Sequence, residues 1–300
     1  MKTSHSRRNI HGILLLDKRL GVSSNRALQE VKRLFNANKA GHTGSLDPLA
    51  TGLLPLCFGE ATKVSGMMLD DNKRYQVIIQ LGIKTDTGDL EGRIVQTRPV
   101  PEFSVEAIQT ILEKFTGEID QIPPMYSALK QNGKKLYELA REGKTVERLA
   151  RHITVFELKL LAVQKDTLEL EVHCSKGTYI RSLAEDIGEE LACGATVKEL
   201  RRLQAGQFHI GQALSLEQLQ ELDEQQLLAA LIAVDTPLQN LPAVHLNDQQ
   251  AASTKQGQSL TLAENLLGPV RIYHAAEFLG LGEMHLDGKL APKKLFNLND

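Results

Sequence analysis

Residues 41–52 read Gly-His-Thr-Gly-Ser-Leu-Asp-Pro-Leu-Ala-Thr-Gly, a segment with three glycines and a single carboxylate, Asp47. A carboxylate offers nucleophilic or general-base chemistry when its position is fixed. Pro48 biases Asp47 towards extended backbone and away from helix. Gly41, Gly44 and Gly52 permit tight turns and the close approach of another backbone. The loop falls between a helix predicted from Ser24 to Phe35 and an apolar run, Leu53 to Phe58. Such a loop can hold one carboxylate at the mouth of a cleft. The same composition also suits an ordinary turn, and the rest of the chain has to decide between the two.

Arg181 is the second informative residue. It falls in the first turn of a helix predicted from Thr178 to Leu191. A cation there opposes the helix dipole by roughly 0.3–1 kcal/mol. That placement suggests that a carboxylate elsewhere holds the side chain, and Asp47 is a candidate. His42 lies five residues before Asp47. It has too few ligand-type neighbours for a metal site, and a histidine hydrogen-bonded within its own loop is the simpler expectation. Tyr75 and Tyr179 could be core residues or a stacking face for a base, worth about 1–3 kcal/mol.

The predicted elements that would position these residues begin with a buried strand, Gly12 to Asp17. Ser24 is the expected cap of the helix that follows, whose apolar positions Leu28, Val31, Leu34 and Phe35 share a face. A helix is predicted from Glu60 to Leu69. Tyr75 to Leu81 reads as a strand with Tyr75, Val77, Ile79 and Leu81 on one side. Ser104 opens a helix through Lys114. Residues 128–152 carry seven basic side chains against three acidic ones, a local +4. Their centre reads as a short helix, Lys134 to Glu142, closed by Gly143. The segment reads either as a solvated surface helix or as an arm that grips a polyanion. Ile153 to Ala162 and Leu168 to Cys174 form a predicted hairpin. Ser215–Gln218 and Asp223–Gln226 match capping boxes. After Pro237 and Pro242 the chain turns to short β segments punctuated by glycine: Gly268 to His274, Phe278 to His285 and Lys289 to Phe296.

The 300 residues are 42% apolar and 24% charged, with 35 basic against 37 acidic side chains. This is the composition of a globular chain of one or two domains. It excludes a disordered protein and a uniformly basic nucleic-acid binder. The three cysteines, Cys57, Cys174 and Cys193, are widely spaced. They match no zinc pattern and fit free thiols in a reducing compartment. No leader peptide or membrane-spanning run is visible, so the expected location is the cytoplasm.

Together the motifs resemble the bacterial tRNA pseudouridine synthase B family along essentially the whole chain. Residues 41–52 match the family signature. Lys73-Arg74-Tyr75 matches the motif of the active-site tyrosine. Gln121 to Lys130 (Gln-Ile-Pro-Pro-Met-Tyr-Ser-Ala-Leu-Lys) matches the start of the thumb insertion. Cys174 to Arg181 (Cys-Ser-Lys-Gly-Thr-Tyr-Ile-Arg) and Leu200-Arg201-Arg202-Leu203 match two further motifs. The resemblance implies an α+β pseudouridine synthase fold, a mixed and largely antiparallel sheet flanked by helices. It implies a catalytic domain over residues 1–241 with a thumb at about 122–152, and a β-rich PUA-like RNA-binding domain over 242–300. Asp47, Tyr75 and Arg181 would be catalytic. His42, Tyr75, Tyr179 and Leu200 would contact the substrate, and Lys130, Lys134, Lys135 and Arg141 would grip RNA from the thumb. The implied partner is the T-arm of tRNA, with no cofactor, no metal and a monomeric enzyme. One departure stands out: Lys18 is followed by Arg19 where the family usually has proline. Loss of the fixed φ predicts a less rigid support beneath the site.

The implied reaction is an isomerisation of uridine, which consumes no redox or energy cofactor. The chain accordingly shows neither a P-loop nor a dinucleotide fingerprint. Extrusion of the base would cost a few kcal/mol, and His42 is expected to fill the vacated space. Opening a tRNA corner is also compatible with a tRNA-folding role. Two rival readings remain: a non-catalytic RNA-binding module, and a phosphotransferase with an aspartate nucleophile. The second is disfavoured, because Asp47 follows a Gly-rich loop rather than ending an apolar strand.

Overall fold

The computed structural model describes residues 7–299. Residues 1–6, which begin the segment read for a leader, and residue 300, the last of the expected C-terminal domain, lie outside the described residues. The architecture is α+β, with one large mixed sheet and a second, smaller one.

Seven strands form the body of the large sheet: β1 (Gly12–Lys18), β2 (Ala50–Phe58), β3 (Lys73–Leu81), β4 (Gly117–Gln121), β5 (Arg151–Val163), β6 (Thr167–Cys174) and β7 (Ala195–Ala205). Their spatial order is β1-β2-β7-β3-β6-β5-β4. All these neighbours are antiparallel except β7 with β2. Pattern reading missed β4 and, at the centre of the sheet, β7. Its -Val-Lys-Glu-Leu-Arg-Arg-Leu- run carries too many charges to read as buried. Tertiary pairing overrides that weak local signal.

β1 explains why Ile13 to Leu16 is apolar without alternation. Leu14 and Leu16 face the main core, whereas Ile13 and Leu15 face a second core shared with the C-terminal strands. A strand covered on both faces has no solvent side. β3 alternates as expected, with Tyr75, Val77, Ile79 and Leu81 buried.

Four of the helices are α1 (Ser24–Leu34), α2 (Val105–Glu113), α3 (Leu136–Arg141) and α4 (Ile180–Glu190). The cap of α1 differs from expectation. Ser23 accepts from the Arg26 N–H, while Ser24 is buried and serves the Asp47 loop instead. Ser104 caps α2 as read. The single helix expected from Glu60 to Leu69 is a 3-10 turn, Gly59–Lys63, followed by a short α-turn, Ser65–Leu69. α3 is shorter than expected, because Lys134 and Lys135 pair with Lys130 and Gln131 in a small hairpin. Both capping boxes, at Ser215 and Asp223, are made.

The second sheet holds β8 (Ala243–Leu246), β9 (Gly268–His274), β10 (Glu277–Met284) and β11 (Lys289–Leu295). A helix the β-rich reading left out, Asp248–Lys255, packs beside them under an Asn247 capping box. Among the described residues no helix is long and apolar enough to cross a membrane.

Candidate active site

The site assembles where the 41–52 loop meets the N-terminus of α4. The loop is pinned from beneath. The buried Ser24 hydroxyl donates to the Leu46 carbonyl at 3.0 Å and accepts from the Leu46 N–H at 2.7 Å. One side chain therefore satisfies both backbone groups of the residue before Asp47. Gly52 closes the loop with φ +99°, and a Cβ there would sit 2.3 Å from the Arg202 carbonyl oxygen. The glycine is what lets β7 lie against β2. Gly41 shows no such need, having open space around it.

Arg181 lies in the first turn of α4 and is only 7% exposed. Its guanidinium reaches the Asp47 carboxylate at 2.9 Å and Asp89 at 3.7 Å. It also donates to the Thr87 carbonyl at 2.9 Å and the Tyr126 carbonyl at 2.7 Å. Two carboxylates and two carbonyls outweigh the repulsion from the helix dipole. The α4 N-terminus is tied further by Gln121, whose amide bridges both backbone groups of Tyr179 at 2.8 and 3.1 Å.

The Asp47 side chain is 46% exposed despite the ion pair, so one face of the carboxylate opens outward. Its pKa is held above the ordinary carboxylate range. Burial is the main cause and Asp89 adds to it, while Arg181 and Lys18 oppose. Arg181 alone would lower this pKa. Partial desolvation outweighs the attraction of one cation.

Tyr75 enters from β3 and is nearly buried. Burial raises its phenol pKa, with Arg202 pulling the other way. Leu200 on β7 is the cross-strand partner of both Ala50 and Val77, half-buried at the end of the loop. Tyr179 lies immediately before α4, half-buried, with its phenol pKa raised by burial. His42 lies on the short strand Ala40–His42 against β2. Its Nδ1 is buried with no hydrogen-bond partner among the described residues, so the expected bond within its own loop is not made. Burial and Arg202 lower its pKa, which favours a neutral ring.

The cations expected to grip RNA lie in the 122–152 segment. Lys130, Lys134 and Lys135 lie on the small hairpin and Arg141 ends α3, its guanidinium 5.3 Å from the Tyr137 ring centroid. The start of the 122–152 segment is joined to α4, where Ser182 donates to the Ile122 carbonyl at 3.0 Å. Lys134 faces Glu142 at 3.7 Å, so one of these cations already has a partner within the segment.

Sequence reading missed three charged residues. Lys18 is buried beneath the site, donates to the Arg19 and Val22 carbonyls, and has its pKa lowered to about 8 by burial. Asp89 comes from a turn with no local signal of its role. Arg202 is 1% exposed, and a strand reading of residues 195–205 would have placed it on the face of Leu200. Among the described residues no cluster of His, Cys, Asp and Glu could hold a metal ion.

The arrangement presents one partly exposed carboxylate, a guanidinium clamp, a tyrosine hydroxyl and an apolar wall around an open face. Three family models together span most of the chain. The TruB family pseudouridylate synthase N-terminal domain matches residues 32–180. The tRNA pseudouridylate synthase B C-terminal domain matches 181–239, and the pseudouridine synthase II TruB C-terminal region matches 242–296. The tRNA pseudouridine synthase B of Serratia proteamaculans is 52% identical over 96% of both chains. The chain belongs to the TruB family of pseudouridylate synthases. The tRNA pseudouridine synthase B of Chromohalobacter salexigens is 50% identical over 96% of this chain and 95% of its own. Among solved structures, the archaeal box H/ACA Nop10–Cbf5 complex aligns with a TM-score of 0.72 at 24% identity, covering 97% of this chain and 88% of that one. An H/ACA ribonucleoprotein bound to a substrate RNA containing 2′-deoxyuridine aligns at 0.71 and 22% identity, covering 99% and 93%. These likenesses are of fold. In this TruB-family chain the departure at Arg19 has its own structural answer. The Arg19 guanidinium clasps Glu30 on α1 with contacts of 2.9 and 3.2 Å. A side-chain tie stands where proline would fix the backbone.

Proposed function

We propose that the protein isomerises a T-loop uridine of tRNA, position 55, to pseudouridine. The observation that carries the reading is the Asp47 carboxylate, clamped by Arg181 at 2.9 Å and still open on one face. It is supported by 52% identity along nearly the whole chain to the tRNA pseudouridine synthase B of Serratia proteamaculans. The N1–C1′ bond of uridine breaks, the base turns, and C5 joins C1′. The proton lost from C5 is matched by the one gained at N1, so atoms and charge balance without a co-reactant. Asp47 engages the sugar–base unit as nucleophile or base, and either role needs its ionised form. Tyr75 lies against the uracil, and its oxygen takes the C5 proton as its own hydroxyl proton passes on towards N1, so the phenol is restored. Tyr179 and Leu200 wall the pocket. The neutral His42 ring fills the space that the extruded base leaves.

Residues 1–241 act as the catalytic unit and 242–300 as a PUA-like RNA-binding unit, a division supported by the second sheet starting at Ala243. The thumb, 122–152, closes on the T-arm through Lys130, Lys134, Lys135 and Arg141. The enzyme works as a cytoplasmic monomer without a cofactor, and opening the tRNA corner gives it a tRNA-folding role as well.

The test is tritium release from unmodified tRNA carrying 5-tritiated uridine, alongside tRNA binding at several salt concentrations. Wild type should release close to one tritium per tRNA, and Asp47→Asn none. Binding by both should weaken steeply with salt, as phosphate contacts require. Tight binding without release by wild type would replace this reading with the non-catalytic RNA-binding one.

A further inference from the structure

Arg202 is a buried cation that the roles above leave unused. It is among the largest fully buried side chains of the protein. Among the described residues no carboxylate lies within ion-pair distance of it, and Lys18, Lys73 and His42 are nearby positive or titratable groups that it repels. A buried charge without a counter-charge is costly, and hydrogen bonds must compensate it. Its Nε donates to the Leu53 carbonyl at 2.7 Å and its Nη2 to the Gly44 carbonyl at 3.0 Å. Tyr75 lies opposite Arg202 on the neighbouring strand, close enough for the guanidinium to pull its phenol pKa down. The backbone places it there by register. Arg202 is the cross-strand partner of Tyr75 on β3 and of Gly52 on β2, so the three residues form one rung across three strands. The guanidinium therefore spans the start of the Asp47 loop, the strand beyond the loop, and the phenol on the far side.

Resting on the pseudouridine synthase reading, we infer that Arg202 is a positioning residue that locks the Tyr75 hydroxyl and the Gly44 end of the Asp47 loop into one arrangement. A guanidinium is planar and offers donors in fixed directions, so it can hold two carbonyls and still present charge to a third oxygen where a lysine cannot. Its positive charge also favours the phenolate, the form of Tyr75 able to take a proton, against burial, Cys174 and Asp47, which oppose ionisation. Arg202 touches no substrate in this scheme and acts through Tyr75 and the loop.

The test is single-turnover tritium release at saturating enzyme for wild type, Arg202→Met, Arg202→Lys, Tyr75→Phe and Arg202→Lys/Tyr75→Phe, with tRNA affinity and thermal melting of each. Arg202→Met should slow release by roughly 10²-fold, within the range that placed proton transfer contributes, while affinity changes by less than about threefold. Arg202→Lys should be intermediate, since it keeps charge but loses the fork. Arg202→Lys should cost less in the Tyr75→Phe background than in wild type, because the part of its effect that passes through the hydroxyl is already lost there. A merely structural arginine would give losses that multiply. That result, a wild-type rate in Tyr75→Phe, or a wild-type rate in folded Arg202→Lys, overturns the inference. If Arg202→Met does not fold, the lysine variant and its double carry the same cycle. Absence of release by wild type instead removes the reaction itself, and the inference falls with it.

Discussion

At the scale of single residues, the site is a balance of charges that no one residue explains. Arg181 holds Asp47, yet the Asp47 pKa still lies above the usual carboxylate range, because burial and Asp89 outweigh Arg181 and Lys18. If the ionised form does the chemistry, single-turnover release should fall as pH drops, with a midpoint above the ordinary carboxyl value of about 3.9. Asp89→Asn removes one of the charges that raise this pKa, so the acid limb should move to lower pH. A limb that stays in place or moves upward would show that Asp89 is not felt at Asp47. The adverse position of Arg181 at a helix N-terminus was legible in the sequence as a problem needing a partner. The nearest partner was guessed correctly, while Asp89, Thr87 and Tyr126 were invisible because they come from distant loops.

At the scale of elements, local signals worked where one face of a segment meets one environment. The alternation of β3 and the capping boxes at Ser215 and Asp223 belong to that class. They failed where the neighbour decides. Ser23 and Ser24 are equivalent as caps by type, but only Ser24 lies beneath Leu46, so Ser23 caps the helix. β7 reads as polar because its charged side chains are accommodated by tertiary partners: Arg201 pairs with Asp17 at 2.6 Å and Arg202 is buried against carbonyls. The parallel contact of β7 with β2 depends on Gly52. Gly52→Ala places a methyl group on the Arg202 backbone at a positive φ, and should cost about 2–4 kcal/mol of stability by denaturant unfolding. A loss under about 0.5 kcal/mol would mean that the strands part easily and that the close approach is not required.

At the scale of the molecule, the second sheet is docked rather than tethered. Phe278 and Phe296 join Ile13, Leu15, Leu53 and Met68 in one core. Lys63 donates to the Leu295 carbonyl at 2.7 Å and Lys294 to the Lys63 carbonyl at 2.8 Å. Tyr273 donates to Asp235, which binds the second sheet to the segment that leads into it. Phe296→Ala should cost about 3–5 kcal/mol where packing is fully lost, and calorimetry should then resolve two transitions in place of one. Single-turnover release at saturating enzyme should change little, since the seam lies behind β1 and β2. One unbroken transition in the variant would show that the polar ties alone keep the two sheets together.

What the sequence determined by itself is the chemistry available and most of the elements. The loop with one carboxylate between glycines, the basic excess of residues 128–152 and the ordered series of motifs are local in the chain, and the family comparisons agree with the family read from the motifs. Only the tertiary structure decided which charges share the site. Lys18, Asp47, Asp89, Arg181 and Arg202 come from five separate segments, and their burial and mutual attraction exist only after the sheet has formed. The reason is the range of the forces. Hydrophobic periodicity and capping act over a few residues, so they are written locally. Desolvation and Coulomb interactions depend on distance in space, which the chain sets only once it is folded.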